Sequence, residues 1–236
     1  SEHDAATVYV SLTGYREDDF NAYLFRSSDY GATWTSISGN LPAESINVIR
    51  EDPVNPNLLY LGTDLGVYVS LDKGAHWESL CADLPTTPVQ DLVIHPREHE
   101  LIIATHGRSL YLMDIRPIQA LSSQIRSSDL YAFDVRDVKL KWQVEREVAP
   151  FPPRGRARIH FWLSKAQTAE AVISNSEGKV VRVLKAEGRF GINDIEWDMR
   201  SESGKEAGSG VYELKLRAGE QSVTKTIIAK PADTGR

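Results

Sequence analysis

The sequence holds a single cysteine, Cys81, in 236 residues, so it closes no intrachain disulfide and offers no cysteine-based metal site. Cys81 is read as a small core hydrophobe at the end of a strand. No apolar run approaches the roughly 18 residues of a membrane-spanning helix, so membrane insertion is not expected. Neither half carries the clustered Lys/Arg stripe that tracks a phosphate backbone, which argues against nucleic acid as a partner. A glycine-rich phosphate loop, a Ser/His/Asp constellation and a cofactor motif are all missing, so no cofactor is expected. No secretory leader is visible at the start, but Ser1 in place of an initiator methionine suggests that the native N-terminus is not here, so this absence decides little.

Charge is unevenly spread. Residues 1–120 hold 17 acidic and 7 basic side chains, and residues 121–236 hold 16 and 20. Opposite balances in two halves, with 41% apolar content, suggest two domains with their own cores.

The strongest pattern is an internal repeat. Ser27-Ser28-Asp29-Tyr30-Gly31-Ala32-Thr33-Trp34 recurs 43 residues later as Ser70-Leu71-Asp72-Lys73-Gly74-Ala75-His76-Trp77. Each copy lies between two strand-like runs and reads as a hairpin turn. Asp accepts backbone N–H groups about two residues on, Gly supplies a left-handed conformation, and Trp covers the hairpin. A period of roughly 40 to 50 residues in an all-β pattern marks propeller blades.

Three, four and three short strands can be counted over residues 1–116. The first unit lacks its opening strand, and the third lacks its closing strand and the Asp-Gly turn: Met113 and Ile115 stand where Ser70 and Asp72 would be repeated. The expected fold is all-β, a partial propeller of about two and a half blades over 1–116. Closure takes about four to eight blades, so the remaining blades are expected from upstream sequence or another chain. Residues 117–154 read as a connector, with a short helix over 117–125, alternation over 130–142 and a stiff proline run over 149–155. Over 155–232, short alternating strands separated by turns such as Asn175-Ser-Glu-Gly178 read as an immunoglobulin-like β-sandwich.

These residues resemble known families. The two Ser-x-Asp-x-Gly-x-(Thr/His)-Trp boxes are similar to the Asp-box, or BNR, repeats of sialidases, xyloglucanase-type glycoside hydrolases and sortilin-type propellers. The strings Asn55 to Ser70 and Ala104 to Asp114 resemble the last blades of large exported sortilin-like proteins, in which a Pro-Pro-Gly entry like Pro152-Pro153-Arg154-Gly155 leads to a sandwich domain. The tail resembles the FlgD-type immunoglobulin-like domain at Asn175 to Arg182, Gly191 to Asp198 and Gly208 to Tyr212. The resemblance implies an exported, periplasmic or cell-surface protein and does not choose between an enzyme and a binder.

Asp29 and Asp72, with Ser27, Ser70, Gly31, Gly74, Trp34 and Trp77, repeat identically in consecutive blades and are assigned a structural role rather than that of a catalytic pair. The longer loop Arg16-Glu17-Asp18-Asp19 breaks the repeat, as binding insertions do. In an enzyme, Asp18 or Asp19 would be the acid or base and Arg16 would orient a polar substrate. Asp64 lies in the matching loop of the second blade and His106 and Arg108 in that of the third, where imidazole can titrate and guanidinium can hold a carboxylate. His95 and His99, four apart across a proline turn, match no recognised metal site. The leading expectation is an interaction module for protein or glycan. Its alternatives are a glycoside hydrolase with its site mainly upstream and a scaffold completed by another chain.

Overall fold

The computed structural model describes residues 1–80, 84–140 and 155–231. It divides into two compact units, Ser1–Gln119 and Ala120–Arg236. Cys81, Trp142 and the proline run up to Arg154 lie outside the described residues.

The first unit is three antiparallel sheets. β1 (Val8–Gly14), β2 (Asp19–Ser27) and β3 (Thr35–Ser36) form the first. β4 (Ile46–Glu51), β5 (Leu59–Thr63), β6 (Val67–Ser70) and β7 (Glu78–Ser79) form the second, and β8 (Val89–His95), β9 (Glu100–Thr105) and β10 (Leu110–Asp114) the third. Neighbours in sequence pair in every case, and the counts of three, four and three agree with the reading of the sequence. The outermost strands β3 and β7 are two residues each.

The sheets stack face to face, as consecutive propeller blades do. Leu24 and Ile37 of the first sheet meet Ile46, Leu59, Leu61 and Trp77 of the second in one core. Leu58, Tyr60, Val67 and Val69 meet Val89, Leu92, Leu101 and Ile103 of the third in another. Successive side chains of a strand point to opposite faces, so Leu59 and Leu61 serve one interface while Tyr60 serves the other. This is why β5 is apolar without alternation and buried at every residue, as a strand covered on both faces must be. The outer faces of the flanking sheets are different. Val8 and Leu12 on β1, and Val93, Leu110 and Leu112 on the third sheet, are all substantially exposed.

Helix α1 (Arg116–Gln119) ends the first unit, and α2 (Ser123–Arg126) lies in the second. The expected single helix is thus two short turns. β11 (Leu130–Ala132), β13 (Ala157–Leu163) and β16 (Gly191–Trp197) form a three-stranded sheet in the order β11-β13-β16. β12 (Val138–Lys139), β14 (Gln167–Ser174), β15 (Val180–Gly188), β17 (Gly210–Ala218) and β18 (Gln221–Lys230) form a five-stranded sheet in the order β12-β18-β17-β14-β15. Residues 120–140, read as part of a connector, therefore contribute strands to the second unit. Ala132 and Val138 are buried in its core, and the alternation read from residue 130 onward supplies β11 and β12.

The two sheets make a β-sandwich. Ile159, Phe161, Ile195 and Trp197 of one interleave with Ala171, Ile173, Leu214, Leu216 and Ile227 of the other. Trp197 and Tyr212, both buried in this core, meet edge to face at 5.1 Å. Their polar ends are satisfied by the carbonyls of Arg200 and Gly208.

Candidate functional site

Each Asp-Gly turn is a closed hydrogen-bond unit. In the first, Asp29 accepts from the Thr33 backbone N–H at 2.8 Å, from Thr33 Oγ1 at 2.6 Å and from Ser27 Oγ at 2.7 Å, while Ser27 Oγ accepts from Gly31 N–H at 2.8 Å. The second repeats the pattern, with the His76 backbone and ring in place of Thr33. The Asp bonds reach four residues on, not two, because two consecutive residues are left-handed: Tyr30 and Gly31 at φ 59° and 87°, Lys73 and Gly74 at 59° and 90°. Hydrogen bonds from Thr33, chiefly its hydroxyl, hold the Asp29 carboxyl down to about 2. In Asp72 burial opposes the hydrogen bonds from His76 and Ser70, which still leave it lowered. A carboxylate that spends its lone pairs on its own turn holds no proton to donate.

The tryptophans part company. Trp77 is 3% exposed and Trp34 is 45% exposed. Both were expected to pack alike on their hairpins, but only the second turn has a neighbouring sheet lying against it.

The other candidates occupy the turns between the second- and third-last strands of each sheet or their equivalents, at the end away from the Asp-Gly turns. The β1–β2 turn contains a 3-10 helix, Tyr15–Glu17, closed by Asp18 at φ 56°. Arg16 donates to Tyr15 Oη and lies over that ring, and Glu17 is exposed. Asp19 accepts from Tyr23 Oη at 2.6 Å and from the Asn21 backbone and side-chain amides. These bonds, Tyr23 foremost, lower its carboxyl.

In the β5–β6 turn Asp64 accepts from Asn47 Nδ2 at 2.9 Å, and its N–H donates to Ser45 O. In the β9–β10 turn the His106 N–H donates to Pro88 O in the same way, and Thr87 Oγ1 donates to His106 O. Asp64 and His106 are therefore equivalent positions in adjacent sheets. Arg108 is exposed. The three turns form one rim of solvent-facing acidic and basic groups, and the bonds that fix each turn stay within its own sheet.

Sequence reasoning missed what braces this rim. Glu44, buried in the segment leading into β4, accepts from Tyr68 Oη at 2.7 Å and from Leu65 N–H at 3.2 Å. Burial, with Glu44 beside it, pushes the Tyr68 hydroxyl up to about 12. Read alone, Glu44 is an ordinary polar loop residue, and no spacing marks it.

His95 and His99 are engaged locally: His95 Nδ1 accepts from Glu98 N–H, and His99 Nδ1 donates to Gln119 Oε1. Among the described residues no group of three or more His, Cys, Asp or Glu is placed to hold a metal ion. None of their helices is long and apolar enough to cross a membrane, which leaves strand-built spans untouched.

A family model described as Sortilin-Vps10 (sortilin, neurotensin receptor 3) matches residues 22–145. A probable oligoxyloglucan-reducing end-specific xyloglucanase of Neosartorya fischeri is 34% identical over 88 residues, which are 33% of this chain and 10% of that protein. Among solved structures, the GH74 enzyme of Niastella koreensis aligns with a TM-score of 0.40 at 13% identity, over 95% of this chain and 36% of that one. PorZ, a surface component of the type-IX secretion system of Porphyromonas gingivalis, aligns at 0.36 and 14% identity, over 96% and 29%. The chain thus spans about a tenth of the curated relative and about a third of these structures.

Proposed function

The chain belongs to the Sortilin-Vps10 family, and from that premise we propose that it is the blade-bearing part of an exported or cell-surface interaction module that binds protein or glycan. The observation that carries this reading is the rim of turns bearing Arg16, Glu17, Asp18, Asp64, His106 and Arg108. Arg16, Glu17, Asp18, His106 and Arg108 are exposed and Asp64 is half-buried. The second and third turns are held by Glu44, Ser45, Asn47, Thr87 and Pro88, and of these six side chains only that of Asp64 takes part, by accepting from Asn47. Rigid turns presenting free polar groups suit recognition. The second unit, a disulfide-free sandwich, serves on this reading as a FlgD-type immunoglobulin-like attachment domain.

A hydrolase is the second reading, favoured by the stretch 34% identical to the xyloglucanase. Its general acid must keep a proton near neutral pH, which burial achieves by raising a carboxyl. Asp19 is shifted the opposite way, which supports binding over hydrolysis by these turns.

The test is the full chain on a panel of xyloglucan oligosaccharides and other glycans, with bound ligand and released reducing ends measured together. Binding without release, weakened at least about tenfold in the His106→Ala/Arg108→Ala double variant, is the expected result. Release of sugar by the chain alone overturns it in favour of the hydrolase.

A further inference from the structure

The two Asp-Gly turns are alike in bonding but unlike in company. The indole N–H of Trp77 donates to Ile37 O at 2.8 Å. Asn40 brackets the Trp77 backbone, accepting from its N–H and donating to its carbonyl, both at 2.8 Å. Ile37 also lies on Gly74 so closely that a Cβ there would meet its Cδ1 at 2.9 Å. The segment that leaves the first sheet thus grips the turn of the second. It then continues as β4, which pairs antiparallel with β5 from Ile46–Thr63 to Glu51–Leu59. One run, Ile37–Glu51, both clasps a tryptophan and adds a strand.

The first sheet has both receptors for such a run. Trp34 turns its indole N–H back to Gly31 O in its own turn, at 3.1 Å. β1, the counterpart of β5, is the edge of its sheet. The equivalence is fixed by the turn that precedes each strand: Tyr30 N–H donates to Ala6 O as Lys73 N–H donates to Asn57 O. Where β5 is buried throughout, β1 exposes Val8 at 42% and Leu12 at 53%.

We propose that Trp34 and the free edge of β1 form one docking site for an extended segment with the chemistry of Ile37–Glu51. Its elements are an aliphatic residue whose carbonyl takes the Trp34 indole N–H, an asparagine three residues on that brackets the Trp34 backbone, and a strand that pairs antiparallel with β1. Strand addition of this kind takes affinity from the main chain and specificity from the side chains at alternate positions. A second copy of the chain does not fit the site with its own exposed sheet face, because its third sheet has three strands and no closing segment after β10. The inference rests on reading the three sheets as consecutive blades of a larger propeller.

The test extends the full chain ahead of Ser1 with a copy of its own residues 1–51. The copied Ile37–Glu51 then precedes Ser1 as the original precedes Asp52, the residue that Ser1 matches in the register of β1 and β5. Hydrogen exchange is followed at the β1 amides and the Trp34 indole. The expected result is exchange at least about tenfold slower at both, with Asn40→Ala in the copy alone returning the indole, but not β1, to its rate in the unextended chain. Unchanged exchange at β1 and Trp34, whether or not the added residues fold, overturns the site. An indole that stays slow in the N40A copy overturns the asparagine clasp. No glycan or protein ligand enters this readout, so its failure is separate from a failure of ligand binding.

Discussion

Gln119 donates through its side-chain amide to both carboxylate oxygens of Asp52, at 3.1 and 2.8 Å, across 67 positions of sequence. Asp52 is fully buried and also accepts from the N–H groups of Val54 and Asn55 and from Tyr60 Oη. The last residue of the first unit is thereby tied to the turn at the head of its middle sheet. Burial, with Asp52 alongside, pushes the Tyr60 hydroxyl up. A buried carboxylate is tolerable here because its oxygens are supplied with donors on every side.

Removing that acceptor strands four donors. Asp52→Ala is expected to destabilise the first unit by about 2–4 kcal/mol, and Gln119→Ala, which leaves the other three bonds intact, by about 1 kcal/mol. Hydrogen exchange of the β5 amides measures this without interference from the second unit. Equal effects of the two substitutions would show that the carboxylate has no role beyond receiving Gln119.

The tryptophans give a paired comparison. Trp77→Phe loses the bond to Ile37 O and part of a buried ring, and about 2–3 kcal/mol of stability is expected to go with them. Trp34→Phe, at a half-exposed site with only a local bond, is expected to cost less than about 1 kcal/mol. Parallel chemical denaturation of the two variants checks the ranking.

That contrast marks how far the sequence could be read. The 43-residue repeat located both turns, and alternation located most strands to within a residue or two, because each reflects local backbone and side-chain chemistry. Trp34 and Trp77 are spelled alike, so their different burial comes only from which sheet lies next to which. From residue 130 to 140 the alternation was legible but the sheet it joins was not: β12 is two residues long and gains its partner from β18, about 90 residues away. At the rim, the turns with Asp64 and His106 were found from their register, whereas Glu44 and Asn40, which act across loops, gave no periodic signal.

Acid should loosen the first turn in a defined window. The Asp29 carboxyl lies below its ordinary 3.8, at about 2, so folding favours its ionised form. The stability it contributes is complete above pH about 4 and is lost as pH falls toward 2. Thr33→Val removes the hydroxyl that contributes most to the shift, and the Asp29 carboxyl is expected to titrate at higher pH, as followed by its carboxyl carbon resonance. An unmoved titration would show that the hydroxyl does not set the value.

The rim should separate function from folding. His106 contributes to its turn through backbone groups only, by its N–H to Pro88 O and its carbonyl from Thr87. His106→Ala and Arg108→Ala are therefore expected to change stability by no more than about 0.5 kcal/mol while weakening whatever ligand the rim holds. Asp64→Ala also frees Asn47 and is expected to do both. Thermal melts beside binding isotherms distinguish the two classes, and a large loss of stability in His106→Ala would move that residue from recognition to structure.

The closeness of the second and third sheets rests on Gly62. A Cβ at this position would stand 2.7 Å from Val48 Cγ1 and 2.8 Å from Val89 Cγ1, and both valines are buried in the core between those sheets. Both are β-branched side chains, stiff at χ1, in a close-packed interior. Gly62→Ala is expected to destabilise the first unit by about 1–3 kcal/mol. Gly208→Ala, where nothing lies within 4 Å of the added carbon, is expected to stay within about 0.5 kcal/mol. Val89→Ala combined with Gly62→Ala offers the new methyl space, so the pair should cost less than the sum of the single changes. Strict additivity in that double-mutant cycle would mean that the two sheets do not meet at Gly62.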